Sequence, residues 1–142
     1  MDKQDPYNKM ALQQQGITGA MKDIIVGIKN LIQDGKVTIE ERTTEERWIG
    51  WKYGGSELEK QIESLTEAMS DEFKVVDCNA FHFVNGASTR NPTKRLLIIP
   101  VNGTPKLKSG KPLLSENFYY TEENLLLFGE RCDIILAALE EK

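Results

Sequence analysis

The run Leu96-Leu97-Ile98-Ile99-Pro100-Val101, closed by Asn102-Gly103, narrows the choice of fold more than any other stretch. It is nearly all apolar, so it has no face to show to water and predicts a central strand covered on both sides. Asn-Gly after it is a strong tight-turn signal. The strand needs partners, and the chain offers them. Residues 72–86, "EFKVVDCNAFHFVNG", read as a second strand. Val37 and Ile39 alternate with polar residues, and Ile49, Trp51 and Tyr53 supply the bulk that strands favour, so 36–55 reads as a hairpin with "ERTTEE" as its loop. Trp48 and Trp51 then project to opposite faces, one into the core and the other toward a subunit interface, a loop or a ligand.

Helical periodicity frames these strands. Ile17, Met21, Ile24, Ile25, Ile28, Leu31 and Ile32 recur in steps of three and four, and Asp34-Gly35 ends the helix. The stretch around Gly16 and Gly19 reads as a short separate helix or a frayed start. Ser56 with Glu59 three residues on forms a capping box ahead of the stripe Leu58, Ile62, Leu65 and Met69. Thr121 is the expected cap of a last helix whose face would carry Leu125, Phe128, Cys132, Ile135, Leu136 and Leu139. The expectation is an α+β fold: a small antiparallel sheet packed with N-terminal, middle and C-terminal helices, in a single domain over 1–142 with residues 1–15 as a mobile N-terminal segment.

Composition excludes several classes. At 39% hydrophobic and 28% charged residues the chain matches an ordinary globular protein. No apolar run approaches the roughly 18 residues that span a bilayer, and the polar start "MDKQDPYNKM" lacks the features of a signal peptide. Cys78 and Cys132 stand 54 residues apart with one histidine in the whole chain, so neither a zinc site nor any other metal or cofactor is expected. Free thiols in a reducing cytoplasm are the expectation.

Charge is unevenly spread. From Cys78 to Leu114 there is no acid, and Arg90, Lys94, Arg95, Lys106, Lys108 and Lys111 give six cations, leaving the rest at −10 when the whole chain is −4. A basic block in an acidic protein points to a localised anion site, or to lysines guarding a sheet edge. Six dispersed cations beside so much acid argue against nucleic acid as partner.

Catalytic spacings are absent: no GxGxxG, GxxxxGK[ST], GxSxG or HExxH. His82 alternates with Phe81 and Phe83 and so points away from their face; a half-exposed strand residue is the plain reading. Cys78, beside Asp77 in an apolar strand, should have a raised pKa and be inert. Glu122 and Glu123 suit the positive end of the last helix. The chain is not expected to be an enzyme.

One segment does carry recognisable chemistry: residues 81–95, "FHFVNGASTRNPTKR". Phe81 or Phe83 can stack on a base, Ser88 and Thr89 offer hydroxyls, and Arg90 and Arg95 offer charge for a phosphate. Asn91 presents a donor and an acceptor on one edge, and Pro92 stiffens the exit. Together they predict a positively charged cleft walled by a phenylalanine ring. The competing account puts both rings in the core above a polar loop.

At these residues the chain resembles phage-encoded Thoeris anti-defence proteins, which act as sponges for cyclic ADP-ribose signals. Phe81 and Asn91, with Thr89 and Arg90 between them, have the spacing of that family's adenine-stacking aromatic and pocket-closing asparagine. The resemblance implies a non-enzymatic protein that sequesters a cyclic ADP-ribose isomer in the host cytoplasm. It also implies further arginines round the phosphates, where this chain has Lys106, Lys108 and Lys111, with Arg42 or Arg47 from the hairpin. Lysine is a point charge and not a bidentate fork. A homo-oligomer is expected from the apolar helices and exposed aromatics. A protein-interaction or inhibitor module acting through the acidic helices is the alternative from another class, and single-stranded nucleic-acid binding is the third.

Overall fold

The structure, a computed structural model, describes residues 13–44 and 49–140. Its elements are, in chain order, β1 (Gln13–Gly16), α1 (Gly19–Gln33), β2 (Thr38–Thr44), β3 (Ile49–Gly54), α2 (Ser56–Met69) and β4 (Lys74–Phe83). These are followed by β5 (Gly86–Ser88), β6 (Leu96–Asn102), β7 (Lys106–Leu107), β8 (Asn117–Thr121), β9 (Leu126–Phe128) and β10 (Cys132–Glu140). Among the described residues every strand pairing is antiparallel. Seven strands form one sheet in the order β1-β8-β6-β10-β4-β3-β2, and three form a second in the order β5-β9-β7. The fold is mixed α+β but predominantly β, so the expected small sheet is in fact the dominant element.

Three layers follow from strand alternation. On β6, Leu97, Ile99 and Val101 face the helices and join Met21, Ile25 and Ile28 of α1 with Leu58, Leu65 and Met69 of α2. Leu96 and Ile98 face the other way, onto Leu113, Tyr119 and Leu127 beside the small sheet. The predicted central strand is therefore central, buried from Leu96 to Val101. Each face of a strand presents every second side chain, and here both faces need apolar cover.

α1 and α2 match their predicted stripes, with Ile24, Leu31, Ile32 and Ile62 half-buried at the edges and Ile17 just ahead of α1. Gly35 follows α1 at φ 69°, in the left-handed region that Gly alone enters freely. The capping box does not form: Gly55 is the N-cap of α2 without a side-chain bond, and Ser56 is already helical. Gly16 closes β1, which pairs with β8, so neither the short helix nor the frayed start is found there. Gln13 to Gln15, placed in the mobile segment, lie in that paired strand; the rest of the segment is outside the described residues. "ERTT" of the expected hairpin loop belongs to β2, because Glu41 to Thr44 pair with β3. Trp48 lies outside the described residues.

The largest correction concerns the last helix. Residues 132–140 are β10, pairing along both β4 and β6 at the middle of the large sheet. An apolar run such as "CDIILAALE" fits a buried helix or a doubly covered strand equally well, and neighbours decide. Ile135 and Leu139 face the helices, whereas Cys132 and Leu136 face the small sheet. Thr121 ends β8, and its hydroxyl accepts from the Glu123 amide at 3.1 Å, which starts a turn with the chemistry expected of a cap. Glu122 and Glu123 therefore stand at no helix terminus. Among the described residues no helix is long and apolar enough to cross a membrane.

Candidate functional site

Between the large sheet and the segment that runs from β5 into the following loop lies a cleft of about 700 Å³. Its floor is a grid set by register. Phe81 on β4 stands between Ile134 on β10 and Lys52 on β3, and Lys52 stands beside Glu41 on β2. One step along β4, Asn79 pairs with Leu136; a further step along, Asp77 pairs with Ala138. All of these residues line the cleft. Neighbouring strands lie about 5 Å apart and every second residue of a strand about 7 Å, which gives the grid its spacing. Gly50, opposite Phe83, has no room for a side chain: a Cβ there would collide with the His82 carbonyl. The wall is Ala87, Ser88, Thr89, Arg90 and Pro92.

The residues named from sequence divide into three groups. Phe81, Ser88 and Arg90 line the cleft with accessible side chains, Phe81 half-buried and the other two exposed. Phe83 and Thr89 also border it, but at 2% exposure each they are structural. Phe83 packs among Leu96, Leu127 and Ile134. The Thr89 hydroxyl donates to the Leu125 carbonyl at 3.2 Å and accepts from the Leu125 amide at 3.0 Å, which clips the wall to the residue just ahead of β9. Asn91 and Arg95 are not among the lining residues. The Asn91 amide donates from Nδ2 to the carbonyls of Thr121 and Glu123 at 3.1 and 3.2 Å, and its backbone N–H donates to Asn124 Oδ1 at 2.9 Å. Asn91 thus holds the loop carrying Arg90 against the β8–β9 turn. Arg95 is half-buried just ahead of β6.

Charge in the cleft departs from expectation. Lys52 and Arg90 are matched by Glu41 and Asp77, so the acid-free block does not make it uniformly positive. Lys106, Lys108 and Lys111 are exposed on β7 and the turn after it, away from the lining. Lys52, Asp77 and Asn79 went unnoticed in sequence; the alternation of β4 would have put the last two on the Phe81 face, whereas Lys52 depends on a pairing that only folding reveals.

On the opposite face of β4 lies a buried polar network. His82 points away from Phe81, as alternation requires, but it is only 9% exposed and not half-exposed. Its Nδ1 lies 2.9 Å from Asp133 Oδ1. The same oxygen accepts from the Tyr53 hydroxyl at 2.6 Å, and Oδ2 accepts from Asn102 Nδ2 at 3.0 Å. Trp51 stacks on the imidazole at 4.3 Å between centroids, with the Arg42 guanidinium 5.2 Å from the indole. Facing a carboxylate oxygen, Nδ1 is the ring nitrogen placed to donate. Burial, then the hydrogen bond and charge of Asp133, push the Tyr53 hydroxyl pKa up. Burial also pushes the Cys78 thiol up to about 12, in keeping with an inert residue, and raises that of Cys132. Among the described residues no group of three or more His, Cys, Asp or Glu is placed to hold a metal ion.

No family model matches the chain, and no curated protein matches it. Among solved structures, a prolyl-4-hydroxylase of Pseudomonas putida is similar over 94% of this chain and 94% of its own, at 9% identity and a TM-score of 0.48. A likeness of that degree says nothing of what the cleft binds.

Proposed function

We propose that the protein captures a small anionic nucleotide in the cleft and holds it unchanged. The observation that carries this reading is one arrangement: the accessible Phe81 ring on the floor, with Lys52 beside it and Arg90 on the wall. An aromatic plate supplies stacking for a base, and two cations supply charge-assisted bonds for a phosphate. A volume of about 700 Å³ is within the range of small-molecule sites. In the form that the sequence resemblance implies, the ligand is a cyclic ADP-ribose isomer and the role is phage counter-defence by sequestration. A sponge acts by stoichiometry, so its Kd must lie below the working concentration of the signal, with slow release. Ser88 and Arg90 are the wall contacts in this reading, and Asn91 acts by holding their loop.

The test is calorimetry, with a parallel thermal-shift measurement, against cyclic ADP-ribose isomers and other cyclic nucleotides. At a ligand concentration of 100 Kd the fold should gain about 2.7 kcal/mol. Phe81→Ala should abolish the binding heat when measured below the variant's own Tm, which falls because the half-buried ring also packs on the core, and Arg90→Ala should weaken binding by about tenfold or more. Silence from every nucleotide tried would remove the reading.

A further inference from the structure

Within the proposed cleft, we infer that β4 selects a ribose-type vicinal diol, read by Asp77 and Asn79; this rests on the nucleotide reading above. Asp77, Asn79 and Phe81 are alternate residues of one strand, and all three line the cleft, while Cys78 and Ala80 between them pack toward the helices. Each two-residue step is about 7 Å. A base stacked on Phe81 can therefore set its sugar over Asn79 and Asp77, one to two steps along.

The chemistry at those steps suits hydroxyls and repels phosphate. Asn79 Nδ2 donates to Asp77 Oδ1 at 3.1 Å, which turns the two side chains toward each other. Asp77 Oδ2 and Asn79 Oδ1 keep acceptor capacity, and a vicinal diol offers two adjacent O–H donors to match. A carboxylate accepting from a ribose hydroxyl is a known mode of dinucleotide recognition, and such charge-assisted bonds are stronger than neutral ones. An anionic group in the same place would face a like charge. The cations lie elsewhere: Lys52 is the cross-strand neighbour of Phe81 on β3, and Arg90 is on the wall. The ligand is thereby bent, with its sugar directed down β4 and its phosphate turned back across toward β3 and the wall. An extended chain of phosphates along β4 would meet Asp77.

Titration calorimetry with adenosine 5′-monophosphate and its 2′-deoxy and 3′-deoxy counterparts tests this. Wild type should prefer the ribonucleotide by about tenfold or more, the worth of a hydrogen bond to a charged group. Asp77→Ala should weaken the ribonucleotide and whichever deoxy form keeps the hydroxyl that Asp77 reads, and leave the other deoxy form unchanged. Asp77 is exposed, and a circular-dichroism melt checks that the variant is folded. Equal binding of all three nucleotides by wild type would overturn the diol readout and leave the nucleotide cleft standing. A uniform loss across all three in Asp77→Ala would overturn it as well. Absence of binding by these nucleotides and by every cyclic nucleotide would overturn both.

Discussion

Asp133 is the residue on which most buried polarity converges, since Tyr53, His82 and Asn102 all direct a donor or ring nitrogen at its carboxylate. Removing the acceptor strands the buried Tyr53 and His82 groups, and an unpaired buried polar atom loses its hydration without compensation. Asp133→Ala should cost about 3–5 kcal/mol in urea unfolding, the range for breaking one side of a buried charged cluster. A loss below about 1 kcal/mol would show that the network contributes little. At this scale the sequence was partly legible. The raised pKa of Cys78 followed from its apolar strand, and the direction of His82 followed from alternation. The burial of His82 did not, because its partner lies 51 residues away and nothing local to position 82 announces it.

Among elements, the loop after β5 is held by more side-chain bonds than its polar composition suggests. Thr89 clips its start to Leu125, and Asn91 ties its middle to the β8–β9 turn. Lys94 completes a tight bend at φ 62°, with its amide donating to the Asn91 carbonyl at 3.1 Å. Asn91→Ala removes two side-chain donations and should lower stability by about 1–2 kcal/mol in thermal or urea unfolding. It should also weaken ligand binding, because Arg90 loses its fixed support. Equal melting curves for Asn91→Ala and wild type would contradict the anchoring role. In sequence this loop stands out by its hydroxyls and cations, but the anchoring bonds of Asn91 are not visible there, since a contact across the wall looks the same in sequence as one to a ligand. β10 failed for a different reason. Leucine and alanine favour helix locally, but a segment hydrogen-bonded on both sides between β4 and β6 satisfies its whole backbone and buries both faces, and that outweighs propensity.

The molecule as a whole is helices, large sheet and small sheet, and its alkaline limit should reflect thiol and phenol groups buried within it. Cys78 ionises at the ordinary 9.0 in an unfolded chain but keeps its proton to about 12 in the fold, because burial disfavours the thiolate. A raised folded pKa gives stability that is complete below 9.0 and lost as pH climbs from 9.0 to about 12. Cys132 shifts the same way, and Tyr53 extends the loss above its ordinary 10.0. The urea midpoint should therefore fall along that alkaline limb, and Cys78→Ala should flatten the part that begins at 9.0. An unchanged slope in the variant would show that the thiol is not the cause. Hydrophobic period and turn residues by themselves marked the helices over 19–33 and 56–69, the central strand from Leu96 and a hydroxyl-rich loop after an aromatic strand, because those signals act within a few residues. Tertiary structure alone decided that residues 132–140 are a strand, that Asp133 gathers Tyr53, His82 and Asn102, and that Lys52 stands beside Phe81. Each of those depends on which distant backbone supplies the hydrogen bonds, and burial, not local preference, selects among the candidates.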